Sequence, residues 1–431
     1  MKLWQKEIKI NDLVEKFTIG RDPEFDLKLA EHDVVGTLAH TEMLCTIGLL
    51  TQEEFNLLKP ALHEILETIK KGEFKIEPGV EDVHSQVELM LTKKLGDIGK
   101  KIHAGRSRND QVLVDLRLFF RAEIKELVEL IKALFETLIS QSEKYKAVLM
   151  PGYTHTQVAM ASSFGLWFSA YAETLVDDLT LLNAVYKINN QNPLGSAAGY
   201  GNSFPLDRTL TTKLLNFNDL NYNVVHAQMG RGKTEQFMAF AIAGLSATLG
   251  KLAADVVLYS SQNFDFLTLP DEFTTGSSIM PHKKNPDVFE LIRGHCNILQ
   301  SLPTQVSALT TNLTSGYHRD FQLLKEIIFP ALEKLKDCLI LTTYSLSALK
   351  INENILQDEK YKYLYTVEVV NKLVQNGMPF RDAYQQVGKM VEEGSFTFSE
   401  ELKHTHEGSL GNLCLEEIKN KMENILKIFD L

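Results

Sequence analysis

The stretch VLVDLRLFFRAEIKELVELIKALFETL, residues 112–138, decides the fold class. Its apolar positions Val112, Leu116, Phe119, Phe120, Ile124, Leu127, Ile131, Leu134, Phe135 and Leu138 recur every three or four residues. Arg117, Arg121, Lys125, Glu129, Lys132 and Glu136 fall between them, the pattern of one amphipathic helix. Ser107 followed by Asp110 gives it a capping-box-like start. About 33 residues at about 1.5 Å each make a rod roughly 50 Å long. Few compact domains hold a rod of that length, so a bundle of long helices is expected.

Four more segments read as helical: 162–188, 234–261, 286–302, which opens on Pro286, and 322–347, with Pro330 as its kink. FMAFAIAGLSATLG, residues 237–250, is apolar or small on every face, so its helix should be enclosed by others, more than one copy of the chain offers. That run is 14 residues long and meets Lys251, too short to cross a bilayer. No sustained alternation or hairpin dipeptide marks strands, and the class is mostly α. Polar loops at 103–110, 151–155, 192–205, 274–286 and 315–322 separate the rods. The pattern divides the chain into an N-terminal helical domain (1–106), a central long-helix bundle (107–355) and a small helical C-terminal domain (356–431).

The chain has 431 residues, 44% hydrophobic and 23% charged, which excludes fibrous, disordered and disulfide-built classes. With 45 basic against 56 acidic residues, the net charge of −11 offers no general attraction for phosphate backbones, so nucleic acid is not an expected partner. Cys45, Cys296, Cys338 and Cys414 are widely spaced and match no zinc-ligand pattern. MKLWQKEIKINDLVEK carries charge throughout and has no apolar leader core. A reducing cytoplasm, with no membrane partner, is the expected setting.

The loop GSSIMPHKKNP, residues 276–286, puts hydroxyls, cations and an amide between a flexible glycine and a helix-starting proline. It can fold over an anion; alone, it also reads as a solvated turn. The string resembles the GSSxMPxKxNP signature of the fumarase/aspartase superfamily. HAGRSRNDQVLVDLRL (103–118), PGYTHTQ (151–157), NPLGSAAG (192–199) and GMPFRDAY (377–384) are similar to the argininosuccinate lyase branch, in its order and over nearly the whole chain. GRSRNDQ discriminates, since fumarase and adenylosuccinate lyase relatives share the GSS loop without it.

The resemblance implies a mostly α, three-domain fold with a central helix bundle, assembled as a homotetramer whose active sites are shared between subunits. It implies a cofactor-free, metal-free elimination that splits argininosuccinate, a small-molecule substrate, into arginine and fumarate for arginine biosynthesis. Ser277 matches the family's base and His155 the residue that passes a proton to the leaving group; the two roles have been assigned both ways, and Ser277 is taken here as base. Lys283 would stabilise the serine alkoxide, and Glu290 would raise the histidine's basicity. Asn109, Thr154, Asn285, Tyr317, Gln322 and Lys325 match substrate-binding positions, and Arg108 supplies a guanidinium suited to binding a substrate carboxylate. Taken without the resemblance, Glu290 is a helix N-terminal acid and Lys325 a surface charge.

The chain departs from the family pattern at Ala104, at Thr156, at Val158-Ala159-Met160-Ala161 and at Gly230-Arg231-Gly232-Lys233, which keeps only the arginine. Thr18 stands near an N-terminal substrate serine, about two residues out of register. His404-Thr405-His406-Glu407 lacks a third spaced ligand for a metal. The rival readings are another fumarate-releasing lyase, such as adenylosuccinate lyase, or a non-catalytic structural relative of the crystallin kind.

Overall fold

A computed structural model describes residues 11–402 and 404–429; the first ten residues of the charged N-terminal run lie outside them. The longer elements, in chain order, are α1 (Ala30–Thr46), α2 (Gln52–Lys70), α3 (Val83–Leu95), α4 (Arg108–Lys144), β1 (Leu149–Thr154), β2 (Gln157–Ser163), α5 (Phe164–Asn189), α6 (Lys233–Tyr259), α7 (Asp287–Leu299), α8 (Leu323–Ser347), α9 (Thr366–Gln375), α10 (Phe380–Glu392) and α11 (Leu415–Leu426). The five long segments expected to be helical are α4 to α8. At 37 residues α4 is about 55 Å long, and α8 runs through Pro330 without ending.

The described residues group into two compact units that do not follow chain order: 11–127, 181–244 and 299–334 form one, and 128–180, 245–298, 335–402 and 404–429 the other. In the first unit, Val34, Met43, Leu44, Leu58, Leu62, Val87 and Leu91 fill the space among α1, α2 and α3. Each such burial contributes about 1.5–3 kcal/mol. A capping box starts α2: Thr51 Oγ1 accepts from Glu54 N at 3.2 Å and Glu54 Oε2 accepts from Thr51 N at 3.0 Å. Ala39, Val114, Leu118, Leu194, Leu215 and Phe217 form a second apolar cluster, which seats the start of α4 against the 192–199 loop.

In the second unit, Trp167, Tyr259, Phe264 and Phe266 make a ring cluster, and Asp255 takes the Trp167 Nε1–H at 3.0 Å and the Tyr171 hydroxyl at 2.7 Å. Val370, Ala383, Val387 and Phe396 form a separate small core around α9 and α10. Cys296 and Cys338, 42 positions apart in sequence, are buried and hydrogen-bonded to each other as free thiols.

The segment 151–155, expected to be a loop, is not one. β1 and β2 pair antiparallel from Leu149↔Ser163 to Thr154↔Gln157, with the register shifting between Pro151 and Tyr153. His155 and Thr156 alone make the turn, both at positive φ (53° and 58°), the conformation of a tight type I′ hairpin. The helix expected from 162 therefore begins at Phe164, once the strand ends.

The apolar character of α6 also reaches past Lys251. The 27-residue helix is long and apolar enough by composition to cross a membrane, and 56% of its most apolar stretch is buried inside the protein. Met238, Ala239, Ile242, Leu249 and Val256 are among its buried residues, as in the core helix of a bundle.

Candidate active site

The expected site residues fall into two groups, one in each unit. In the second unit, the signature loop is closed at its base, where Thr275 and Asn285 exchange backbone hydrogen bonds (3.2 and 2.9 Å). The Oγ of Ser277 accepts from the backbone N–H groups of Met280 (3.1 Å) and Ile279 (3.4 Å). The two neighbouring lysines differ. Lys284 Nζ is paired with Asp271, whereas Lys283 is exposed and makes no ion pair among the described residues. Asn285 leads into α7, whose first turn carries Glu290; that carboxylate is 46% exposed and 3.8 Å from Arg293. Thr154 ends β1, and His155 stands exposed at the hairpin tip. The paired strands β1 and β2 flank the two-residue turn that carries His155.

In the first unit, Arg108 opens α4 with its guanidinium already engaged: Nε is 2.6 Å from Asp82 and Nη1 is 3.0 Å from Glu81. Burial works against its charge, but Asp82 and Glu81 outweigh it and raise the pKa. Asn109 follows, and its side-chain amide makes no hydrogen bond among the described residues. Arg108, Asn109 and Tyr317 line one cavity of about 380 Å³. Arg108, Tyr317, Gln322 and Lys325 line a smaller one of about 30 Å³. Gln322 Nε2 donates to the carbonyls of Ile19 (2.9 Å) and Thr18 (3.2 Å), and Arg319 also donates to Thr18 O (2.8 Å). Thr18 thus meets the 315–322 segment through its backbone.

Read alone, Lys325 was expected at the surface; it is buried instead, 4% exposed, 2.5 Å from both Asp22 and Asp26. Burial disfavours its charge, yet Asp26 and Asp22 more than compensate and raise its pKa. Asp22, pushed up first by burial and then by Asp26, titrates near 6.

Sequence reading missed the acidic partners Glu81 and Asp82 and, two positions on, His84. His84 Nδ1 is 2.7 Å from Asp33 and 3.6 Å from Asp115, all three buried. These atoms are close enough to hold a metal ion. Burial alone would lower the His84 pKa, but Asp33, Asp115 and Asp82 carry it to about 10, so the imidazolium supplies the positive charge itself. The pair Glu81-Asp82 just ahead of an apolar helical run was the available signal. At the C-terminal HTHE string, His404 is 2.9 Å from Glu368. In the altered 230–233 run, the retained Arg231 donates to Phe321 O at 2.6 Å and so braces the segment carrying Tyr317 and Gln322.

These geometries can be set beside known proteins. A family model described as Lyase matches residues 6–300. Argininosuccinate lyase of Bacteroides fragilis is 60% identical over 429 residues, covering 100% of this chain and 96% of that protein. The Parabacteroides distasonis enzyme of that name is 61% identical over 428 residues (99% and 96%), and that of Thermotoga neapolitana 39% over 388 residues (90% and 98%). Among solved structures, an EDDS lyase in complex with formate superposes with a TM-score of 0.76 at 22% identity (96% and 90% covered). A class II fumarase from Schistosoma mansoni does so with a TM-score of 0.72 at 16% identity (94% and 90%). The fold shared with those two structures and the full-length identity to the enzymes above place the chain in the argininosuccinate lyase family, within the fumarase/aspartase superfamily.

Proposed function

We propose that this chain splits argininosuccinate into arginine and fumarate by β-elimination. The observation that carries the reading is identity of about 60% along the full chain to enzymes named for that reaction. Retention of Ser277, half-buried, together with the exposed Lys283 and His155, weighs against a non-catalytic relative.

In this reading Ser277 removes a proton from the carbon beside a substrate carboxylate. The electron pair released forms the carbon–carbon double bond as the carbon–nitrogen bond breaks, and His155 returns a proton to the departing guanidinium nitrogen. Two backbone N–H groups on Ser277 Oγ, from Met280 and Ile279, support alkoxide character there, because preorganised donors stabilise developing negative charge. Lys283 adds a cation that no carboxylate of the described chain neutralises. Asn285 binds a substrate carboxylate, and Glu290 acts on the His155 charge. Thr154, Arg108, Asn109, Tyr317, Gln322 and Lys325 provide the remaining substrate contacts.

The proposal extends to a cytoplasmic homotetramer whose sites are completed by neighbouring copies. Its support is the set of apolar residues left uncovered on the long helices, such as Phe240 at 49% exposure, Ile298 at 65% and Tyr344 at 59%, since large exposed apolar surface marks a contact region. Light scattering should give four times the 48.7 kDa chain mass. The activity is tested by following fumarate absorbance with argininosuccinate and, in parallel, adenylosuccinate. Turnover of the first alone is expected; turnover of adenylosuccinate alone moves the chain to that activity, and turnover of neither favours a structural role.

A further inference from the structure

Asp110, in the first turn of α4, is fully buried. Its Oδ1 accepts from Ser107 N at 2.8 Å, which is enough to cap the helix. Its Oδ2 does something capping does not require: it accepts from both Gly195 N and Ala197 N, each at 3.0 Å. No cationic side chain bonds to this carboxylate among the described residues, and Arg106 and Arg208 act on it only through space. Burial therefore prevails over the backbone donors, and the carboxyl titrates near 6.

The two loop amides converge because Gly195 and Ala197 both have positive φ (82° and 53°). The result is a small backbone nest of the kind that binds anions, and Asp110 is the anion. The loop is held from its other sides as well. Arg208 Nε donates to Leu194 O at 2.9 Å, and Gln228 Nε2 donates to Ala197 O at 3.1 Å and contacts Ser196 Oγ at 3.2 Å. A Cβ on Gly195 would lie 2.8 Å from Arg208 Cγ, and one on Gly199 2.6 Å from Gln228 Cγ. The neighbour of Asp110 in the chain is Asn109, on the wall of the 380 Å³ cavity with no side-chain partner of its own.

We propose that Asp110 is a positioning residue: by filling the Gly195/Ala197 nest, its carboxylate anchors the first turn of α4 and fixes Asn109 at the substrate cavity. The proposal rests on the argininosuccinate lyase reading, in which Asn109 touches substrate. Asp110→Asn isolates the nest, because an amide still has one oxygen for the cap but cannot accept from loop N–H groups with its nitrogen. Ser107→Ala is the control, weakening the cap and leaving the nest intact.

Asp110→Asn should raise KM for argininosuccinate about tenfold while kcat changes less than about threefold, since small misplacement of a contact is costly. Ser107→Ala, which loses only the 3.3 Å bond that Ser107 Oγ accepts from Asn109 N, should raise KM less than Asp110→Asn does. In an Asn109→Ala background, adding Asp110→Asn should raise KM no further, because the effect travels through Asn109. Amide exchange at Gly195 and Ala197 should quicken in Asp110→Asn but not in Ser107→Ala. If Asp110→Asn is too unstable to assay, Gln228→Met frees the same loop from its opposite side and should raise KM about fivefold. Unchanged KM in the assayed variant, or an equal KM increase with Asn109 already removed, overturns the proposal alone. No turnover of argininosuccinate by the parent protein overturns the activity it rests on, and the proposal with it.

Discussion

The backbone N–H of Met280 lies 3.1 Å from Oγ of Ser277 and donates to it. A hydroxyl that accepts from the backbone of its own loop gains stabilisation as it loses its proton. Ser277→Ala removes the proton acceptor and leaves Lys283 and Asn285 in place. We expect kcat to fall about a hundredfold or more with KM changed only a few-fold. Activity within a few-fold of the parent would remove Ser277 from the chemistry.

The adjacent lysines allow a sharper comparison. Lys284 is tied to Asp271, so its charge is spent locally, while Lys283 has no such partner. Lys283→Gln should lower kcat by more than about tenfold, and Lys284→Gln by less than about threefold. Equal losses measured in the fumarate assay would mean that the loop acts as a diffuse positive patch.

Lys325 supports stability as well as any contact with substrate. With Lys325→Met, Asp22 and Asp26 remain close together without their buried cation, at a cost of about 3–5 kcal/mol. Adding Asp26→Asn should recover part of it. The midpoint of urea unfolding measures both, and an unchanged midpoint in Lys325→Met would show that the pair has no net value.

A pH effect follows from His84. Its proton is held more tightly folded, near 10, than in the unfolded chain, near 6.5. The stabilisation is therefore complete below about pH 6.5 and is lost as pH rises through about 10. Between pH 6.5 and 10 the parent should lose more Tm than His84→Gln does. Equal losses would mean that Asp33 and Asp115 do not hold a charged imidazole.

The long rods were legible because a 3.6-residue repeat sustained over 25 or more positions has few other readings. The 149–163 hairpin was not. Pro151 and Gly152 interrupt its alternation, and the turn puts His155 and Thr156 where Asn-Gly would be the usual signal. The signature loop was recognisable as a string, but its closing Thr275–Asn285 bridge is backbone geometry that carries no residue preference. The setting of Lys325 was hidden for another reason: Asp22 and Asp26 lie about 300 positions earlier, and only the folded chain brings them together. The Cys296–Cys338 contact escaped in the same way, since sequence spacing shows no neighbour made by helix packing.

The most direct test of the central claim is product stoichiometry in one tube. Purified protein is given argininosuccinate, and substrate, arginine and fumarate are quantified together by proton NMR, with Ser277→Ala run beside it. The account predicts one arginine and one fumarate for each argininosuccinate consumed by the parent, and initial rates lower by about a hundredfold or more in the variant. Absence of fumarate with the parent, or its release at the parent rate by Ser277→Ala, would contradict it.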